Sequence, residues 1–444
     1  MKKRIVSKPT QKLLSVLLAG VMLLVSMPLS VVGEGLPLED LEANDNAQLI
    51  EPTDTFYEDV PMRDEFSKHY VLESGERYAV IFPEAVHYED DGEWKEVDNR
   101  LTYNSLTGKY VSTNPKFTTA FAANASAAEL VSISHGEYTI SWGISFAENS
   151  GELMKLTAGA SVTNGNDTAD RLSAAKAEQV SLARVAAETN QAFDAEEAEN
   201  VYKNTVTDIG KAASAISYGG STNSAVSLRY SVAHRKVEED IILRSKSDFS
   251  SYTMTVNTGG LTVTAETDGS VIFKTADGET VFTIDAPWMK DSAYGFSKDI
   301  AVTVTQNGNT ATVTYTPSAE WLNSEDRVYP VLIDPTITSK EHHASIIDTY
   351  ALDGDWNFNY YDGNQSLLAG MSPVGEWFTF IKMQTFPSSV ISSDYTVTSG
   401  ELIIFAPEYN NNLLTLHKAT SNWVGEEVIS PPSTEECDSY VSIS

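Results

Sequence analysis

Cysteine is almost missing from this sequence: Cys437 is the only one in 444 residues. No intramolecular disulfide can form, so stability has to come from buried area, and this length allows two or three domains that bury enough. Nothing beside Cys437 would lower its pKa, which argues against a catalytic thiol. Basic charge is scarce as well, with 30 Lys and Arg against 62 Asp and Glu and a net charge of −32. Nucleic-acid binding draws on clustered Lys and Arg, so no nucleic-acid partner is expected. The signatures of common hydrolytic centres are absent: there is no GxSxG, no HExxH and no CxxC. His342 and His343 are adjacent, and neighbours on a strand point to opposite faces, a poor arrangement for sharing a metal. Paired carboxylates are too common in so acidic a chain to single out a glycosidase pair. The expectation is a protein that is not an enzyme and requires no cofactor.

Long apolar runs are confined to the start. Five basic residues (Lys2, Lys3, Arg4, Lys8, Lys12) precede the apolar stretch Leu13 to Ser26, Pro28 ends it, and Val31, Val32 and Gly33 are small enough for a signal peptidase. This is the layout of a secretory leader over residues 1–33. The run is shorter than the roughly 20 residues that span a bilayer, so no membrane span is expected after cleavage. Beyond residue 33, 25 basic residues face 62 acidic ones, a net of −37. Such charge keeps an exported protein soluble, and the predicted location is extracellular or in the cell wall.

The remainder reads as strands broken by one different stretch. Residues 34–65 are acidic, contain Pro37, Pro52 and Pro61, and read as a linker. In residues 66–156, Tyr138, Ile140, Trp142, Ile144 and Phe146 alternate at period two, the mark of a half-buried strand. Residues 157–217 are rich in Ala, Glu, Lys and Gln and read as a helical insertion or spacer. Residues 218–338 hold apparent hairpins turning at Gly259-Gly260, Asp277-Gly278 and Asn307-Gly308. Residues 339–444 form a further β unit that looks too short to close, as in a piece of a longer protein. The fold predicted is all-β: tandem antiparallel β-sandwich or jelly-roll units with a helical insertion.

One loop carries candidate chemistry. Asp353, Asp355 and Asn357 alternate as in a calcium loop, but Phe358 and Asn364 stand where an EF-hand needs Gly and Glu. An EF-hand is excluded, and a looser calcium site on Asp353, Asp355 and Asn357 is the one metal expectation. The same loop carries Trp356, Phe358, Tyr360 and Tyr361. Aromatic rings stack on the apolar face of a sugar while neighbouring Asp and Asn hold its hydroxyls. Trp356, Phe358 and Tyr360 also share one face of an extended strand, and a place in the core is the reading weighted above a sugar platform.

The stretch GEWKEVDNRLTYNSLTGKYVSTNPKFTTAF, centred on Asp98, Asn99, Arg100 and Leu101, resembles the amino-terminal region of wall-associated and RHS-repeat surface proteins of Gram-positive bacteria. KVEEDIIL and RVYPVLIDPTI are similar to later signposts of that family, and IIDTY, LLAG, FIKM and GELIIF to its DNRLRE modules. Those modules are jelly rolls related to carbohydrate-binding modules. The resemblance implies a cell-surface segment with an adhesive or spacer role, whose carboxy-terminal unit binds cell-wall or extracellular polysaccharide. The tyrosine-rich repeats and terminal toxin of full-length relatives are absent from these residues, so toxin activity is not implied. A structural casing for toxin delivery that binds no sugar is the alternative, and a polysaccharide hydrolase ranks last.

Overall fold

The computed structural model describes residues 11–19 and most of 56–340, apart from 73–76, 165–209, 220–224 and a few single positions. Beyond residue 345 it describes only strand segments. The chain is all-β, and its body is two antiparallel sheets packed face to face.

The first sheet has nine strands and runs in space from Ile300–Asn307 through Thr310–Pro317, Phe249–Asn257, Tyr138–Glu148, Val131–His135, Thr118–Ala122 and Lys109–Ser112 to Leu101–Asn104. The second has eleven, including Ala160–Asn164, Ser214–Tyr218, Val226–Ala233, Lys236–Leu243, Thr280–Ile284 and Val331–Asp334. Residues on either side of the Ala-rich stretch thus contribute to one sandwich. Alternation explains the burial: Ile140, Trp142 and Phe146 on one strand are each 1 % exposed. They share a continuous core with Tyr218, Tyr230, Phe273 and Phe282 of the facing sheet. Between the sheets the Phe121 and Tyr230 rings lie 5.4 Å apart, and the Tyr218 hydroxyl donates to the Ala122 carbonyl at 2.7 Å.

Several expectations need correction. Gly259-Gly260 does not close a hairpin, because Phe249–Asn257 pairs within the first sheet while Thr262–Ala265 pairs with Val271–Lys274 in the second. The turn is a crossing between layers. Gly259 has φ +58, and a Cβ there would run into the carbonyl oxygen of Thr139. Asn307 pairs with Thr310, so the turn residues of that hairpin are Gly308-Asn309, one position later than expected. The hairpin at Asp277-Gly278 is present, with a bulge after Phe273.

The 157–217 span, whose composition reads as a helical insertion or spacer, has strands at both of its ends. Ala160–Asn164 lies inside the 157–217 span and Ser214–Tyr218 crosses its far boundary, and the two are paired antiparallel strands. Within its described part only residues 210–212 are helical, and 165–209 lie outside the described residues. The acidic linker likewise ends early: Phe56–Glu58 pairs with Ser67–Leu72, and Val60–Met62 forms a 3₁₀ turn.

Gln11–Ala19, which overlaps the start of the apolar run Leu13 to Ser26, is a strand that pairs in parallel with Arg77–Ile81 and with Tyr395–Val397 and Gly400–Ile403. Cleavage near Gly33 would remove it from that sheet. In the carboxy-terminal part, Ile346–Leu352, Gly375–Met383 and Gly370–Ser372 form a three-stranded antiparallel sheet, and Leu414–Ala419 pairs with Thr434–Val441. No helix among the described residues is long and apolar enough to cross a membrane.

Candidate functional site

The loop residues singled out from sequence, Asp353, Asp355, Trp356, Asn357, Phe358, Tyr360 and Tyr361, all lie outside the described residues. Their frame is described. Leu352 and Gly370, which bound residues 353–369, both pair with Trp377, one from each side of its strand. The segment therefore leaves and rejoins the sheet at one level, across a span of about 10 Å, two interstrand spacings.

The signpost Asp98–Leu101 has a defined structural task. Asn99 is fully buried, and its Nδ2 donates to the Ala212 carbonyl at 2.6 Å. Its Oδ1 accepts from Asn114 Nδ2 at 3.0 Å, and the same nitrogen lies 3.1 Å from His234 Nδ1. The Asn99 carbonyl accepts from Ser214 Oγ at 2.5 Å, and its amide donates to Lys211 O at 2.8 Å. Two residues on, Leu101 exchanges two bonds with the Asn164 side chain, at 2.8 and 3.1 Å. Residues 99–101 thus grip the chain on both sides of 165–209, where Asn164 and Ser214 already face each other in register. Asp98 and Arg100 instead pair with each other at 2.7 Å on the surface, a contact of little energetic weight.

A second polar group covers the outward face of the second sheet. Arg229 is in register with Asp240, and Asp334 follows Ile333, the partner of Ile241. Arg229, Glu238, Asp240 and Asp334 are all buried. Burial above all, and then the charges of Asp240 and Glu238, holds the Asp334 carboxyl well above the usual range. Lys236 bridges Glu238 at 2.8 Å and Glu84 at 3.3 Å, tying this face to the amino-terminal segment.

Glu96 is the hub of a further network, 2.9 Å from both Lys68 and Lys211. Burial alone would raise its pKa, but Lys68 and Lys211 draw it down to about 2. Beside it, His87 is fully buried, and its Nδ1 lies 2.6 Å from the Asp64 carbonyl. Burial lowers its pKa to about 4. An unfolded chain takes up this proton near pH 6.5 and the folded one only near 4, so the contribution is complete above 6.5 and is lost on acidification between those values. His87→Phe is expected to flatten this part of an acid-unfolding curve, a change of at most roughly 3 kcal/mol, read by fluorescence against pH.

Among the described residues no three His, Cys, Asp or Glu side chains are grouped so that they could hold a metal ion. Models of known protein families give no match to this chain, and neither do curated proteins.

Sequence reasoning missed these groups, and two of them differ in how far a signal existed. The Asn99 knot joins residues more than a hundred positions apart, and no local pattern marks it. The other, around Glu239, left a signal: Val237, Glu239, Ile241 and Leu243 alternate along Lys236–Leu243, so a glutamate occupies a position otherwise given to core residues.

Proposed function

We propose that this chain is an exported, non-enzymatic surface segment with a scaffold role, whose carboxy-terminal β unit binds cell-wall or extracellular polysaccharide. The observation that carries the scaffold reading is the use made of residues 98–101. The stretch that resembles wall-associated and RHS-repeat proteins is spent on joining distant strands, with Asn99 at its centre. The sugar-binding reading rests on the DNRLRE-like signposts and on the sequence of residues 353–369, which carries Trp356, Phe358, Tyr360 and Tyr361 among Asp and Asn between two strands that both pair with Trp377. Stacked aromatics take up a sugar's apolar face, and Asp353, Asp355 and Asn357 supply acceptors for hydroxyls or for a calcium ion.

The test is retention of residues 34–444 on arrayed glycans and purified wall polysaccharide. Losing one stacking ring removes about 1.5 kcal/mol, so Trp356→Ala and Tyr360→Ala are each expected to weaken retention roughly tenfold. A folded chain retained on no glycan would remove the sugar-binding reading and leave the casing role. That second reading has its own support in the ion pairs joining the amino-terminal segment to the sandwich, Lys236 with Glu84, Arg235 with Glu65 and Lys211 with Glu96.

A further inference from the structure

Glu239 lies in the middle of the sandwich core. It is fully buried on Lys236–Leu243, with Tyr230 beside it on the same sheet and Tyr252 facing it from the other. Both hydroxyls donate to its carboxylate at 2.5 Å, Tyr230 to Oε1 and Tyr252 to Oε2. Tyr315 stacks on Tyr252 with ring centroids 5.4 Å apart, and its buried hydroxyl makes no hydrogen bond. Trp142 Nε1 is buried on the same layer. The groups acting on the carboxyl's charge are these tyrosines and Asp240, the next residue along, whose side chain leaves by the opposite face; no basic side chain is among them. A carboxylate in such surroundings has two neutral donors and no counter-charge, so its ionised form bears a desolvation cost that its protonated form avoids.

We propose that Glu239 is an acid-closing latch between the two sheets. Protonated, it completes a neutral hydrogen-bonded network that ties Lys236–Leu243 to Phe249–Asn257 across the core. Ionised, it places an unpaired negative charge between the layers and loosens them. Burial raises the carboxyl's pKa to about 7, with Tyr230 and Tyr252 opposing that rise. The sign follows: the folded pKa lies above the unfolded one, so the stabilisation is full below the unfolded value of about 4.5 and fades as pH rises through about 7. His87 acts in the opposite direction over part of this range. The diagnostic quantity is therefore the difference between the native chain and a variant at Glu239.

Urea unfolding of the full exported chain and of Glu239→Gln at pH 5.5 and 8.0 tests the latch. On going from pH 8.0 to pH 5.5 the native chain is expected to gain roughly 25-fold in folding equilibrium constant relative to the variant. Equal pH dependence in the two proteins would overturn the proposal. If Glu239→Gln does not fold, Tyr252→Phe serves instead. Removing one donor to the carboxylate raises the carboxyl's pKa further, so the fall in stability moves to higher pH, and an unmoved midpoint would overturn the latch.

Discussion

Asn99→Ala is expected to lower the stability of the sandwich by about 3 kcal/mol, since it strands the Ala212 carbonyl and breaks the bond from Asn114, both in buried surroundings. The urea midpoint should fall with little change in slope, because the surface exposed on unfolding stays nearly the same. Arg100→Ala, next in sequence, should change stability by no more than about 0.5 kcal/mol, as its partner Asp98 is on the surface. The pair of variants separates a structural signpost from a surface-recognition one. A recognition motif would be sensitive at Arg100 and tolerant at Asn99. A cleavage experiment extends the test. Protease cuts within 165–209 should leave two fragments that elute together, because Ala160–Asn164 and Ser214–Tyr218 pair over five residues and Asn99 clamps the second of them. In the Asn99→Ala chain the fragments should separate at lower urea. Fragments that part without denaturant in the native protein would show that the clamp is not what joins them.

Asp291→Ala is expected to cost about 3–5 kcal/mol, the usual consequence of removing one partner from a buried ion pair. The Asp291 side chain is 1 % exposed, and its Oδ2 lies 2.5 Å from Arg327 Nη1. Its oxygens also accept from the amides of Ala293, Gly295 and Val328 at 3.0, 2.7 and 3.3 Å. Arg327 in turn stacks on the Trp321 ring at 3.6 Å and donates to the Trp321 carbonyl. Trp321 belongs to the short helix Ala319–Asn323, capped by Ser318. One carboxylate therefore holds a hairpin, a helix and the approach to Val331–Asp334 in place. Without it the guanidinium stays buried with no counter-charge, and three amides lose their acceptor. Thermal unfolding should show the loss, and Trp321 fluorescence should report local loosening first. A variant as stable as the native chain would mean that water reaches Arg327 freely.

These two residues show how far the sequence could be read. The period-two run from Tyr138 to Phe146 made a half-buried strand evident, and the structure has a strand at Tyr138–Glu148 with Ile140, Trp142 and Phe146 in the core. The strand Arg77–Ile81 and the hairpin that joins His87–Asp90 to Glu93–Glu96 have the same local origin, since short-range alternation and turn chemistry act on neighbouring residues. Gly259-Gly260 misled because the same two glycines serve a hairpin or a crossing between sheets. The choice belongs to Thr139, whose carbonyl lies against Gly259 from a strand more than a hundred residues away. Asp291 and Asn99 gave no sign of their importance either, as their partners come from distant elements.

Local order in the chain was sufficient to dictate an all-β body and a strongly acidic charge balance. Each follows from side chains acting on near neighbours or on solvent, so composition and spacing carry them. Which strands share a sheet, which polar residues close the knots at Asn99 and Asp291, and why a glutamate sits among tyrosines between the layers were settled by packing alone. Those outcomes depend on the removal of water and the meeting of remote backbone groups, and neither is encoded in any short stretch of residues.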